Sequence, residues 1–261
     1  MTIAIAQAAL APVLAQPNIR AEQVTQLVLG ETAIVLERTG EWRKVCTQFD
    51  DYSGWIHAGY LLEVEDPVGE EWHSSATGWS QGASLRIGAV HLPLPLRARV
   101  VMTDDGVRLP DGRRARLLSG GVREMSEVVS ASRAKAPERW AMEYFLGAPY
   151  QWGGVTPWGV DCSGLVQSTF AARGTVLPRD SSQQVHCGAS VSLTAIQPGD
   201  LLFFRSESGS AITHVAFAGE GDTLIHSTLS CGGALSETWL PGQRAATLRE
   251  RLVAARRLED R

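Results

Sequence analysis

The spacing of apolar positions changes character along this chain. In the first half they fall in short runs of strand length. Leu27-Val28-Leu29-Gly30-Glu31-Thr32-Ala33-Ile34-Val35-Leu36-Glu37 and Trp42-Arg43-Lys44-Val45-Cys46-Thr47 are punctuated by Thr39-Gly40 and Asp50-Asp51. β-Branched and aromatic residues between such turn formers predict a small barrel over residues 1–66, which includes Tyr52-Ser53-Gly54-Trp55-Ile56 and Tyr60-Leu61. Met1 to Ala15 reads as its leading strand. Residues 67–128 keep the short-strand pattern. Thr103-Asp104-Asp105-Gly106 and Pro110-Asp111-Gly112-Arg113 read as turns around Val107 and Leu109, which predicts a second, diverged barrel.

Beyond residue 128 the period becomes helical before it returns to strands. Ala131 to Leu146 reads as a linker and an amphipathic helix. Leu165, Val166, Thr169 and Phe170 recur at helical spacing, Ala171 and Ala172 favour a helix, and Gly174 falls where a left-handed cap ends one. Pro198-Gly199-Asp200 is a turn into a core strand, Leu201-Leu202-Phe203-Phe204. Two apolar runs, one opened by His214 and one containing His226, flank Gly219-Glu220-Gly221-Asp222 and predict a hairpin. Arg249-Glu250-Arg251-Leu252-Val253-Ala254 suits a strand or a helix equally.

This pattern places Cys162 in the first turn of a helix. Unpaired N–H groups and the positive end of the dipole there favour a thiolate over a thiol, which predicts a lowered pKa and a nucleophile. A nucleophile of this kind needs a neutral imidazole as base and a group to orient it. The predicted hairpin offers both, with His214 as base and the ring of His226 stacked beside it and bonded to it. Cys46, Cys187 and Cys231 read as small buried apolar residues, and His57, His73, His91 and His186 as core or surface residues. His186-Cys187 lacks the paired spacing of a metal site, so no metal or other cofactor is expected.

Composition narrows the setting. With 261 residues, 44% of them hydrophobic, the chain can bury a core and hold two or three small domains. A net charge of −4 gives no reason to expect nucleic-acid binding or adhesion to an anionic surface. Four cysteines without framework spacing fit a reducing compartment. The apolar N-terminus has no Lys or Arg before Arg20, and no run approaches the roughly 20 apolar residues of a membrane helix. A cytoplasmic location is expected, with a secreted or periplasmic one as the alternative.

Several motifs carry a resemblance. Tyr150-Gln151-Trp152-Gly153-Gly154, Asp161-Cys162-Ser163-Gly164, Leu177-Pro178-Arg179-Asp180-Ser181, Pro198-Gly199-Asp200-Leu201 and the two histidines together resemble the NlpC-type family of cell-wall cysteine peptidases over roughly residues 137–235. The barrel of residues 1–66 is similar to bacterial SH3-like domains. The resemblance implies an α+β fold, a papain-like cysteine peptidase domain (129–261) preceded by two small SH3-like β-barrels (1–66 and 67–128). It makes Cys162 the nucleophile, His214 the base, His226 the orienting residue and Tyr150 a side chain near the oxyanion site; the Cys162 N–H is a further oxyanion donor.

The chain also resembles an SH3-containing subgroup of γ-D-glutamyl-diamino acid peptidases acting on murein peptides with a free N-terminal L-Ala. That implies a pocket for the peptide's ammonium formed by Asp180, Ser181 and Ser163, with Glu22 and Tyr52 as the nearest matches from the first barrel. The expected reaction is cleavage after γ-D-Glu, before meso-diaminopimelate or L-Lys, with release of L-Ala-γ-D-Glu in cell-wall peptide recycling. The expected partner is a murein tripeptide or related muropeptide, with no obligate protein partner. A secreted endopeptidase cutting intact stem peptides and a non-catalytic SH3-type wall-binding protein are the alternatives, and the intact Cys162, His214 and His226 set argues against the last.

Overall fold

The computed structural model describes residues 2–258. The chain divides into two compact units at residues 128 and 129. In the first unit, strands from Thr2–Ala6 to Leu61–Glu65 form a seven-stranded antiparallel sheet. Its alternating inward residues Ala4, Ala6, Ala11, Val13, Ala33, Val35 and Val45 share one core. The expected single leading strand is two, Thr2–Ala6 and Leu10–Leu14, and the long Leu27–Glu37 run is also split. Gly30 causes the second break: it turns at φ +81°, and a Cβ there would lie 2.1 Å from the Arg99 carbonyl oxygen. The next residue, Glu31, is buried against Arg97 at 2.5 Å.

Helix Asp66–Ser75 follows, begun by Pro67 in its first turn, and lays Trp72 on Ile3 and Ile5. A second seven-stranded antiparallel sheet runs from Gly78–Gln81 to Val122–Glu124. The segment Ala131 to Leu146, read as a linker and one helix, holds the helix Pro137–Phe145, and a further helix, Met125–Arg133, runs into its start. Pro137 separates them, because it cannot donate a backbone hydrogen bond and is accepted only in a first helical turn.

The second unit is built on a six-stranded antiparallel sheet. Its order is Ala189–Val191, Leu252–Arg257, Leu201–Arg205, Ile212–Ala218, Thr223–Thr228 and Gly233–Thr238. The strands carrying His214 and His226 are the predicted hairpin, with Phe217 opposite Ile225 and Ala218 opposite Leu224. Helix Cys162–Ala172 is buried along its whole length and packs on this hairpin, Phe170 stacking on Phe217 at 6.0 Å. Gly174 closes it at φ +74°, as its sequence position predicts. The ambiguous Arg249–Ala254 segment is both things at once, the end of a 3-10 turn through Arg251 and then the strand Leu252–Arg257.

Candidate active site

The helix that begins at Cys162 starts where Asp161 forces it to. The Asp161 Oδ1 accepts the Gly164 N–H at 2.7 Å, a helix cap, while Oδ2 accepts the Gly153 N–H at 2.8 Å. The Arg179 guanidinium, 1% exposed, donates to Asp161 Oδ2 at 2.6 Å and to Ser163 Oγ at 2.7 Å. One buried pair therefore clamps the helix start to the Gly153-Gly154 loop and to the Arg179 segment. Removing one partner of such a pair typically costs about 3–5 kcal/mol. Gly164 is needed for the same approach, since a Cβ would lie 2.1 Å from the Gly154 carbonyl oxygen.

Cys162 is 8% exposed, and the backbone N–H groups of Val215 and Ser163 lie near enough to its sulfur to favour the thiolate. The Val215 contact sets the thiol beside the residue that follows His214. Burial and then the Asp161 carboxylate push the thiol up to about 12, against the opposing pull of the Val215 N–H, Arg179 and the Ser163 N–H. The lowered pKa expected from the helix N-terminus is thus corrected: the same carboxylate that caps the helix opposes the thiolate, and burial outweighs the N–H groups. Burial, His226, Arg251 and Arg244 hold His214 well below the usual imidazole value, so it is neutral near pH 7. The resting pair is thiol and imidazole.

Strand alternation puts His214, Ala216 and Ala218 on one face, and the register of Ala218 with Leu224 puts His226 on that same face. The His214 Nε2 and the His226 Nδ1 are 2.7 Å apart. The rings meet edge to face at 65° with centroids 5.0 Å apart, so the expected hydrogen bond is present but the expected stacking is not. A hydrogen bond needs the nitrogen of one ring in line with that of the other, which a stacked pair cannot provide. The His226 Nε2 meets Glu237 Oε1 at 2.7 Å, and Arg244 bonds the same oxygen. Burial works to raise the Glu237 pKa, but the hydrogen bonds and charges of His226 and Arg244 hold it below the usual carboxylate range.

Tyr150 is half-buried and joins the Cys162 region through backbone bonds to Gly232 and a bridge to Val160. Burial and the nearby Cys162 and Asp161 push its phenol up to about 12, so it stays a hydrogen-bond donor. Ser163 is buried, with its hydroxyl engaged by Arg179 and donating to Asp161 at 3.3 Å. Asp180 is the N-cap residue of the short helix Ser181–Gln184, and Ser181 is buried at its start. Glu22 and Tyr52 belong to the first unit, Glu22 exposed before strand Gln23–Val28 and Tyr52 half-buried before Ser53–His57. The buried reading of the other cysteines is also corrected: Cys46 and Cys187 are half-buried and Cys231 exposed.

The patterning missed Glu237 and the buried Arg179. Arg179 sits in a motif whose neighbours Asp180 and Ser181 drew the functional reading. Glu237 is opposite Leu224, one diagonal step from His226, a contact visible only once the register of Thr223–Thr228 and Gly233–Thr238 is known.

Residues 147–247 match the NlpC/P60 family, and residues 13–61 match the bacterial dipeptidyl-peptidase Sh3 domain. The γ-D-glutamyl-L-lysine dipeptidyl-peptidase of Bacillus subtilis is 30% identical over 230 residues, 78% of this chain and 71% of that protein. This chain belongs to the NlpC/P60 family. A Bacillus cereus protein of the same name is 28% identical over 226 residues, covering 78% of this chain and 66% of that one. The crystal structure of a Bacillus cereus NlpC/P60 family protein superposes with a TM-score of 0.78 at 21% identity, covering 98% of this chain and 99% of that one. The fold is therefore a papain-like peptidase fold with an N-terminal SH3-like β region.

The chain is an NlpC/P60 cysteine peptidase, an enzyme class that works by acyl transfer to a thiol. In the roles expected from the sequence, the Cys162 sulfur would attack a peptide carbonyl while its proton passed to His214, and expulsion of the amine, protonated by His214, would leave a thioester. His214 would then take a proton from water, whose attack would release the acid and restore the thiol. The Tyr150 hydroxyl and N–H groups at the helix start are donors of the type that stabilise the oxyanion.

Proposed function

We propose that this peptidase hydrolyses the bond between γ-D-Glu and the following diamino acid, meso-diaminopimelate or L-Lys, in murein peptides with a free N-terminal L-Ala. It releases L-Ala-γ-D-Glu and serves cell-wall peptide recycling in the cytoplasm. The observation that carries this reading is the 78% of the chain shared with relatives named γ-D-glutamyl-L-lysine dipeptidyl-peptidases, together with the dipeptidyl-peptidase type of its Sh3 domain. Four free cysteines support a reducing compartment.

The substrate's ammonium is assigned to Asp180, Ser181 and Ser163, all within the second unit. A charge-assisted hydrogen bond is typically worth ~1.5–3 kcal/mol, and about 1.4 kcal/mol is tenfold in rate. N-acetylation removes the charge and should lower kcat/KM by roughly ten- to a hundredfold. Mass spectrometry of products from paired free and N-acetylated L-Ala-γ-D-Glu-diaminopimelate and L-Ala-γ-D-Glu-L-Lys checks this. Equal cleavage of the acetylated peptides would overturn the free-terminus reading and favour an endopeptidase of intact stems.

A further inference from the structure

The hydrogen-bond chain of the site does not end at its third member. Beyond His214 and His226 lies Glu237, 2.7 Å from the His226 Nε2, itself bonded by Arg244, which donates a further bond to Ser230 Oγ at 2.5 Å. Two strands supply the two halves of this contact. Glu237 faces Leu224 across the register, so its side chain reaches diagonally to His226.

We propose that Glu237 is a positioning residue that fixes the tautomers of both histidines and supplies the negative charge that stabilises the imidazolium formed during catalysis. The inference follows from counting donors and acceptors. An ionised carboxylate only accepts, so the His226 Nε2 carries the proton of that contact. In the neutral ring the His226 Nδ1 is then a lone pair, and the His214 Nε2 must donate to it. That leaves the His214 Nδ1 as the unprotonated nitrogen, free to take the Cys162 proton. In the opposite tautomers His226 Nδ1 donates, the His214 Nε2 accepts, and the Nδ1 is already protonated and useless as a base. Beside a neutral His226 ring, Glu237 excludes this second arrangement.

The same chain carries charge. When the Cys162 proton arrives at Nδ1, positive charge develops on His214, and its Nε2–H bond to His226 strengthens towards a carboxylate at the far end. His226, Arg251 and Arg244 oppose an imidazolium on His214. Glu237, bonded to His226, is the carboxylate of this hydrogen-bond chain and favours one.

The test reads the site through its thiol, so its outcome is independent of the substrate proposed above. Iodoacetamide alkylation of Cys162, located by peptide mapping, is followed from pH 4 to 9 in the wild type, Glu237→Gln and Glu237→Asp, with circular dichroism to verify the fold. In Glu237→Gln the neutral-pH rate should fall ten- to a hundredfold, and the acid limb of the profile should move to lower pH, because an imidazolium without its counter-charge loses its proton more readily. In Glu237→Asp the charge remains, so the acid limb should stay near its wild-type position even if the shorter side chain slows the reaction. A Glu237→Gln profile identical to wild type overturns the proposal. So does a slower rate with an unmoved acid limb, which would show a structural part only.

Discussion

At the scale of single residues, the chemistry depends on two groups displaced in opposite senses. Cys162 is pushed up to about 12 and His214 is held well below 6.5, so neither is charged at rest and the base must act during attack. His214→Ala should therefore lower kcat by roughly 10²–10⁴-fold, the usual worth of a general base, and His226→Ala by less, because orientation is only part of that step. The pH profile gives the sign. The acid limb of kcat/KM should lie below 6.5, since His214 stays neutral until protons overcome its burial. Stability follows: the unfolded chain binds this proton first, so stability falls as pH drops below 6.5, and His214→Ala should lack that share of the loss. Steady-state kinetics and thermal melts across pH check both, and a His214→Ala enzyme as active as wild type would sink the mechanism. The place of Cys162 at a helix start and the contact of His214 with His226 were legible in the sequence, because motif, order and strand length set the helix and the hairpin. The protonation of Cys162 and His214 was not, because it depends on burial and, for the thiol, on Asp161, which the local helix argument leaves out.

At the scale of elements, the helix and hairpin were readable because their signals are local. Helical spacing from Leu165 to Phe170, Gly174 and the Gly219–Asp222 turn each act within a few residues. The clamp on the helix was unreadable because Arg179 reaches Asp161 across 18 positions and its burial has no local signature. The Gly164 contact turns that clamp into a test. In Gly164→Ala the new methyl meets backbone, which cannot swing aside, so the first helical turn must shift. Overpacking of this kind typically costs about 1–3 kcal/mol. A displacement near 1 Å at the nucleophile can cost on the order of 10²-fold in rate. Activity should thus fall further than stability predicts. Peptide-cleavage assays beside melting curves read the two separately, and an enzyme that loses stability while keeping full turnover would contradict the positioning role of this turn.

For the whole molecule, the sheet of the second unit is completed by the end of the described chain. Strand Leu252–Arg257 lies between Ala189–Val191 and Leu201–Arg205, not at an edge, and pairs Leu202 with Ala255 and Phe203 with Ala254. Local sequence left Arg249–Ala254 undecided because three charged residues followed by three apolar ones show neither period; only the gap between two distant strands decides it. The same non-local control hides the strand positions of residues 78–124, where Arg114–Ser119 has one buried residue among six. Ending the chain at Arg251 should therefore do more than trim it. It would strip the ladder from one side of Leu201–Arg205, open the core at Leu202, Phe204 and Ala255, and leave the buried Asp200 without Arg257, its partner at 2.7 Å. Arg257 is 39% exposed and Asp200 keeps the Gln197 N–H, so this loss costs less than the about 3–5 kcal/mol of a fully buried pair, but it adds to the lost ladder and core against the roughly 5–15 kcal/mol that holds a domain folded. The expected result is a chain with no cooperative unfolding transition in its second unit, indiscriminate alkylation of its cysteines and no peptide cleavage. Circular dichroism with alkylation mapping reads this directly, and a truncated chain that still melts cooperatively and cleaves peptide would show that the last strand is dispensable.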